Sequence, residues 1–560
     1  MNMSNIQPQY LTLSDLLNKR LFIIPEYQRA YSWTKYQRED LFDDIESTHI
    51  KGDDNTHFMA TVVCLRKKKE MLGTDEFYLM EVVDGQQRLT TLIILLNALK
   101  AKLNKDNASE AKVQRELGEL LVKVEGNQLL LLQTNHDSSH YFANYLRQGL
   151  TLDPEIARTI ADREILLAIK ECNDFIDKWI KKKLTLVHLA ALLKNRLWFL
   201  LHEVGDAKTV YTVFEVLNSR GLDVSWLDRL KSILMGAVYG IRNTDHAALI
   251  NELHVIWRDI YKVIGLTQGL STEALRFAAT LRTKTPPSRL LGEEDSVEEL
   301  RGQAKTAKDI RDVASWLLSV TEACETIVGN PRIAAVTEIA QARLLATAIS
   351  VRTDLAASER KSLLENWEKV SFRIYGMLRN DARTRVGEYT RLAWHVVNQK
   401  LTAQAIAAGI FEIGKGFPVS EATAALRNAN CYEGWETELR YVMCRYEEHL
   451  ARAQKLKFSN EQWEKIWAVS PSESIEHVWA ESKAPEKDKH RLGNLILLPP
   501  RLNSSLQDKD PQDKRDSYQK TGLLIAGKVS DTIVATGWNT NAIDARENEL
   551  IAWALTEWVD

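Results

Sequence analysis

Close to its end the chain carries IEHV (Ile475–Val478), then GNLILL beginning at Gly493, then Asn503 and the basic pair Lys514-Arg515. Glu476, His477, Asn494, Asn503 and that pair are residue types suited to phosphodiester hydrolysis. A neutral imidazole can take a proton from an attacking water. A hard cation of the Mg2+ or Mn2+ kind needs oxygen ligands and acts on the scissile phosphate and the leaving oxygen. A basic side chain can steady the phosphate. Glu476 and His477 are neighbours on a strand-like run, so they point to opposite faces unless the chain bends. A hairpin would have to resolve that if both serve one site. His490, in the charged loop between the two runs, reads as a solvated residue within reach of a substrate.

A second group of residues lies in the first half. In EVVDGQQRLTTL (Glu81–Leu92) a strand delivers Asp84 into a tight turn at Gly85, and a helix begins. Backbone N–H groups at a helix start favour an anion. Gln86, Gln87 and Arg88 occupy the first turn. A cation there opposes the helix dipole, so Arg88 makes sense if a phosphate lies between. Asp84 would hold a metal or orient a water or an arginine. In FEVLNSRGLDVSWLDRLKS (Phe214–Ser232), Asn218, Arg220 and Gly221 form a helix-end pattern, with Asp228 and Lys231 on the next helix. In IIPEYQRAYSW (Ile23–Trp33), Arg29 sits among Tyr27, Gln28, Tyr31 and Trp33, aromatics suited to stacking on a base. Taken singly, each has a plainer explanation: a common Asp-Gly turn, structural ion pairs, a core aromatic cluster, a satisfied core histidine.

The elements that must position these residues follow from periodicity. Phe58–Leu65 and Phe77–Val83 read as buried strands, the second running into the helix after Gly85. Amphipathic helices are expected over Arg163–Lys182, Leu186–Leu201, Val210–Leu217 and Ser225–Tyr239. Residues 245–430 are helical almost throughout, with a loop at Lys284–Ser296 broken by Pro286-Pro287. GIFEIGKG (Gly409–Gly416) approaches a phosphate-binding loop but follows a helical run, lacks the final Ser or Thr, and is closed by Pro418.

At 560 residues the chain is too long for one core. Its hydrophobic share of 45% and charged share of 27% are those of an ordinary globular protein, and a net charge of −3 argues against a protein that coats DNA by charge alone. Five scattered cysteines without a CxxC argue against a disulfide framework or a zinc knuckle. No apolar run approaches bilayer length, and the N-terminus lacks a signal-peptide plan, so no membrane partner and a cytoplasmic location are expected.

Taken in order, Glu476-His477-Val478, Gly493-Asn494-Leu495-Ile496-Leu497-Leu498, Asn503, Lys514-Arg515 and Tyr518 resemble the HNH, or His-Me finger, nucleases over about residues 430–530. The resemblance implies His477 as general base and Asn494 as the brace of its loop. It implies Glu476 and Asn503 as metal-side residues, and Lys514 and Arg515 as phosphate contacts. The three N-terminal motifs resemble a family with a ParB-like N-terminal domain in which DGQQR is associated with nucleotide binding and hydrolysis. The combination is similar to the GmrSD-type, BrxU-type and SspE-type modification-dependent restriction enzymes. That likeness implies an NTP of unknown identity bound by Arg29, Asp84, Gly85, Gln86, Gln87, Arg88, Asn218, Arg220 and Lys231, with Asp84 and Arg88 in the hydrolytic step. It implies DNA contacts from Tyr27, Gln28, Tyr31 and Trp33.

The expectation is therefore an α+β, predominantly helical protein in three parts. These are a ParB-like domain over 1–240, a helical connection over 241–426, and a ββα-metal (HNH) nuclease domain over 427–560. The function expected is a nucleotide-dependent endonuclease acting on modified phage DNA with Mg2+ or Mn2+, with a homodimer allowed. The alternatives are a non-cleaving reader of modified DNA and an RNA-directed nuclease.

Overall fold

The computed structural model describes residues 8–24, 31–52, 55–72, 75–123, 128–129, 141–205, 225–242, 244–458 and 460–559. The chain divides into two compact units. One is formed by residues 1–275 with 293–318, the other by 276–292 with 319–560. The boundary expected near 240 falls inside the first unit, and that near 426 inside the second. Both units are mostly helical, and the first also holds a mixed five-stranded sheet. No helix among the described residues is long and apolar enough to cross a membrane.

The sheet of the first unit is built from β1 (Pro8–Thr12), β2 (Arg20–Ile23), β3 (His57–Leu72), β4 (Asp75–Asp84) and, after a two-residue pair β5 (Val122–Lys123) and β6 (Gln128–Leu129), β7 (Leu197–Val204). Its order is β1-β7-β3-β4-β2. β3 and β4 pair antiparallel, while β2 joins β4 and β7 joins β3 in parallel. The strand expectations at Phe58–Leu65 and Phe77–Val83 fall within β3 and β4.

One expectation is corrected here. Leu186–Leu201 is not a single helix: helix Leu186–Asn195 ends, and Leu197–Val204 is the strand between β1 and β3. An apolar run such as LWFLL satisfies either periodicity, and pairing on both edges decides for the strand. Helices Ile160–Lys181 and Trp226–Val238 lie as expected, each started by a side-chain cap from Thr159 or Ser225. The expected helix at Val210–Leu217 lies outside the described residues.

Helix α1 (Leu13–Leu17) and helix α2 (Lys35–Ile50) precede the central helix α3 (Gln86–Lys102). α3 is buried at every position from Leu89 to Leu99. A helix apolar all round belongs inside a core, and α3 packs against helices Ala108–Leu121 and Ile160–Lys181.

In the second unit, helices Ala340–Ser350, Ala357–Ser371, Val386–Asn398 and Ala403–Gly414 pack on one another. Phe372–Met377 continues the second of these as a π-helical turn. Phe372 from that turn meets Tyr441 at 4.4 Å and Trp558 at 5.4 Å between ring centroids. Trp435 Nε1 donates to Gly376 O at 2.7 Å, and Tyr441 OH to Glu368 Oε1 at 2.6 Å. The loop expected at Lys284–Ser296 ends at Glu293, where a helix begins. The stretch resembling a phosphate loop is the end of helix Ala403–Gly414.

Candidate active site

Strand β8 (Ile475–His477) pairs antiparallel with β9 (Leu495–Leu497), His477 facing Leu495 in register. Helices Pro500–Leu506 and Pro511–Gln519 follow, giving a ββα arrangement. The GNL sequence has a packing reason. A Cβ on Gly493 would run into the Ile543 carbonyl of helix Thr540–Glu557. Arg546 on that helix donates to the carbonyls of Leu492 (3.2 Å), Gly493 (2.8 Å) and Leu495 (2.9 Å), and burial lowers its pKa to about 10. Arg491 is tied to Asp488, Asp544 and Glu547. The turn leading into β9 is thereby held from several sides.

Asn494 is fully buried in that turn. Its Nδ2 donates to the carbonyls of Trp479 and Lys489, both at 3.0 Å. Its Oδ1 accepts from Trp479 N at 2.8 Å and Trp538 Nε1 at 3.1 Å, and its own carbonyl accepts from Val478 N at 2.9 Å. The side chain thus bridges the segment just after His477 to the start of β9.

His477 ends β8 with its ring edge-on to Tyr432, centroids 4.8 Å apart. Nε2 lies 3.1 Å from Nδ1 of His490. Nδ1 of His477 has no partner among the described residues. Burial, followed by the fields of His490, Lys514 and Lys489, lowers the His477 pKa to about 4. The ring is therefore neutral at ordinary pH and carries a lone pair, as a proton acceptor must. His490 is a correction: instead of standing solvated in its loop, it is buried against His477.

Glu476 points the other way, as strand alternation requires. Its Oε1 meets Lys514 Nζ at 2.8 Å and accepts from Tyr518 OH at 2.8 Å, all three side chains being buried. Burial raises its pKa, against the lowering by Lys514. Lys514 Nζ also donates to the His477 carbonyl at 2.8 Å. Glu476 and Lys514, expected on a metal and on phosphate, instead form a buried pair beneath the strand: a carboxylate and an ammonium removed from water must answer one another. Arg515 is part-exposed beside Asp516. Asn503 uses Nδ2 to hold the carbonyls of Glu473 and Ile475, both at 2.9 Å, while its Oδ1 accepts no bond among the described residues.

Among the described residues no group of three or more His, Cys, Asp and Glu side chains is arranged to hold a metal. A cation carried largely by phosphate and water oxygens needs fewer protein ligands, and the open Asn503 Oδ1 is a hard donor that fits such a site. Glu476 does not fit it, being committed to Lys514 and Tyr518.

In the first unit, Asp84 ends β4 and accepts from Gly85 N at 2.8 Å. Gly85 has φ +93°, and a Cβ there would lie 3.1 Å from Val62 Cγ2 and 3.3 Å from Thr61 O, so only glycine suits the turn. Gln86 and Gln87 are buried, and Gln87 Oε1 accepts from Ser32 N at 2.8 Å, fastening the loop before α2. Arg88 is half-buried with its guanidinium 5.5 Å from the Trp33 ring centroid. It makes no hydrogen bond or ion pair among the described residues. Burial lowers its pKa, partly opposed by Asp44 and Asp84.

Tyr31 and Trp33, expected to stack on a base, are instead buried. The Tyr31 hydroxyl pairs with Thr91 Oγ1 at 2.8 Å, and Trp33 lies under Arg88. Lys231 is buried on helix Trp226–Val238 with Nζ 5.1 Å from the Tyr261 ring centroid. Tyr27, Gln28, Arg29, Asn218 and Arg220 lie outside the described residues.

Compared with known proteins, residues 13–235 match the GmrSD restriction endonuclease N-terminal domain, and residues 418–553 match the GmrSD restriction endonuclease C-terminal domain. Together the two matches span more than half of the chain. No curated protein matches it.

Proposed function

Because this chain belongs to the GmrSD-like restriction endonuclease family, carrying both of its domains in order, we propose that it is a nucleotide-dependent HNH endonuclease that cuts modified phage DNA. The observation that carries the reading is a neutral His477 at the end of β8, with Nδ1 open and its loop braced by Asn494. His477 takes a proton from water at Nδ1, the resulting hydroxide attacks phosphorus, and the bond to the leaving oxygen breaks, that oxygen taking its proton from solvent. A divalent cation, when bound, would offset charge on the phosphate and the leaving oxygen. Asn503 Oδ1 is the group that would hold it. Arg515 is the exposed basic residue for a neighbouring phosphate, Lys514 being engaged with Glu476.

The nucleotide site of this reading is the start of α3. Backbone N–H groups follow Gly85 at the helix start, Arg88 lies in the same first turn, and among the described residues it makes no ion pair, so a phosphate would suit it. Gln86 and Gln87 shape the turn, and Asp84 positions the water or metal. Arg29, Asn218, Arg220 and Lys231 belong to the nucleotide set, and Tyr27 and Gln28 to the DNA set, on sequence resemblance alone. A ParB-like core and a nuclease domain beginning near 427 are part of the same reading.

The test is a plasmid-nicking assay with Mg2+ or Mn2+, with and without NTP, on plain and modified DNA. Nicking of modified DNA that vanishes in His477→Ala is expected. Binding without any cutting would favour a non-cleaving reader, and cutting of RNA alone an RNA-directed enzyme.

A further inference from the structure

His490 occupies a built environment. Its side chain is 9% exposed, and Nδ1 lies 3.1 Å from His477 Nε2. Tyr432 stacks on its ring, centroids 5.1 Å apart and planes 17° from parallel, while meeting His477 edge-on. Cys431 N donates to the His490 carbonyl at 2.8 Å. On its far side, Nε2 is buried without a hydrogen bond, 3.8 Å from Glu481 Oε1 and 4.0 Å from Glu433 Oε1. His490 therefore stands between His477 and the two carboxylates, and among the described residues His477 Nδ1 is open.

A hydrogen bond between His477 Nε2 and His490 Nδ1 holds one proton between those atoms. If His477 is to accept a proton at Nδ1, its own proton sits on Nε2 and is donated to His490 Nδ1. The proton of His490 is then on Nε2, toward Glu481 and Glu433. We propose that His490 is the positioning residue of His477: it locks the Nε2–H tautomer that leaves Nδ1 basic. The arrangement uses the logic of a base oriented by a third group, with a histidine inserted between base and carboxylates. The fields of His490, Lys514 and Lys489 all oppose a cationic His477, so the positioning role rests on the hydrogen bond between the two rings.

This proposal rests on the nuclease reading, and the experiment separates the two. His490→Phe keeps a ring against Tyr432 but removes the acceptor, whereas His490→Asn keeps a polar group near the position of Nδ1. With modified plasmid, metal and NTP, His490→Phe should lower kcat for nicking roughly 10²-fold with the KM for DNA little changed, and His490→Asn should recover most of the loss. His490→Phe nicking at the wild-type rate while His477→Ala is inactive would overturn the positioning role alone. Nicking by His477→Ala would overturn the nuclease assignment itself. Because His490→Phe could fail to fold, the wild-type protein gives a second reading. Long-range 1H–15N correlation on 15N-histidine-labelled protein should show His477 protonated at Nε2, and a proton on Nδ1 would overturn the proposal.

Discussion

The two ends of the chain solve a similar problem in opposite ways. Each places polar residues where a strand ends, Asp84 on β4 and His477 on β8. Around His477 most polar groups meet protein partners: Asn494 uses both ends of its amide, His490 meets the His477 ring, and Glu476 is closed off with Lys514 and Tyr518. Around Asp84 the cation Arg88 is half-buried over Trp33 with no carboxylate bonded to it among the described residues. The first arrangement is largely held by protein contacts before any substrate arrives, as preorganised chemistry requires. In the second, Arg88 makes no ion pair among the described residues, as a ligand-dependent site would show.

The sharpest way to break this contrast is His477→Ala. A general base is worth about 10²–10⁴ in rate, so on the proposed reading nicking should fall by that factor while the melting temperature and DNA affinity stay near wild type. Loss of folding together with activity would instead make His477 a packing residue.

Glu476 gives the next largest effect, and of a different kind. Glu476→Ala leaves Lys514 buried without a counter-charge, which should cost about 3–5 kcal/mol of stability in denaturant unfolding. Excess Mn2+ should not restore activity. Rescue by metal with unchanged stability would return Glu476 to the metal.

Arg88→Met should do the reverse. NTP affinity, measured by calorimetry, should drop about tenfold or more for the loss of a charge-assisted contact. Stability should hold or rise, because the substitution removes a half-buried charge that has no ion pair among the described residues. A large fall in melting temperature would show that Arg88 is structural.

The smallest effect is in pH dependence. The His477 pKa lies near 4 in the folded protein, below the ordinary histidine value of about 6.5. Between those values the unfolded chain binds the extra proton, so this stability contribution is present above about pH 6.5 and is lost as pH falls toward 4. Over that window the unfolding midpoint of wild type should fall relative to that of His477→Gln. Parallel curves would mean that His477 is not held neutral.

Much of the C-terminal arrangement was legible in the sequence, because His477, Asn494 and Asn503 come in a fixed order on recognisable elements. Strand alternation already warned that Glu476 and His477 could not share a face. What it could not supply was Lys514 beneath the strand, since that contact joins residues 38 positions apart. His490 was hidden by its charged surroundings, KDKH, although its place just ahead of the Gly493-Asn494 turn was the available signal. The Leu186–Leu201 misreading has another cause: an apolar run with no partner in view cannot declare its period. Tyr31 and Trp33 show the complementary error, in which aromatics beside an arginine were given to a base and belong to the core.

The Phe372–Tyr441–Trp558 cluster bears on how this nuclease region could be handled or inherited. The family match ends at residue 553 and begins at 418, yet Phe372 precedes that span and Trp558 follows it. A fragment trimmed to the matched segment would lose two of the three rings, along with the Glu368 and Gly376 acceptors of Tyr441 and Trp435. The transferable cassette, the piece that could be grafted onto another protein or released intact by limited proteolysis, is therefore larger than the stretch that similarity outlines.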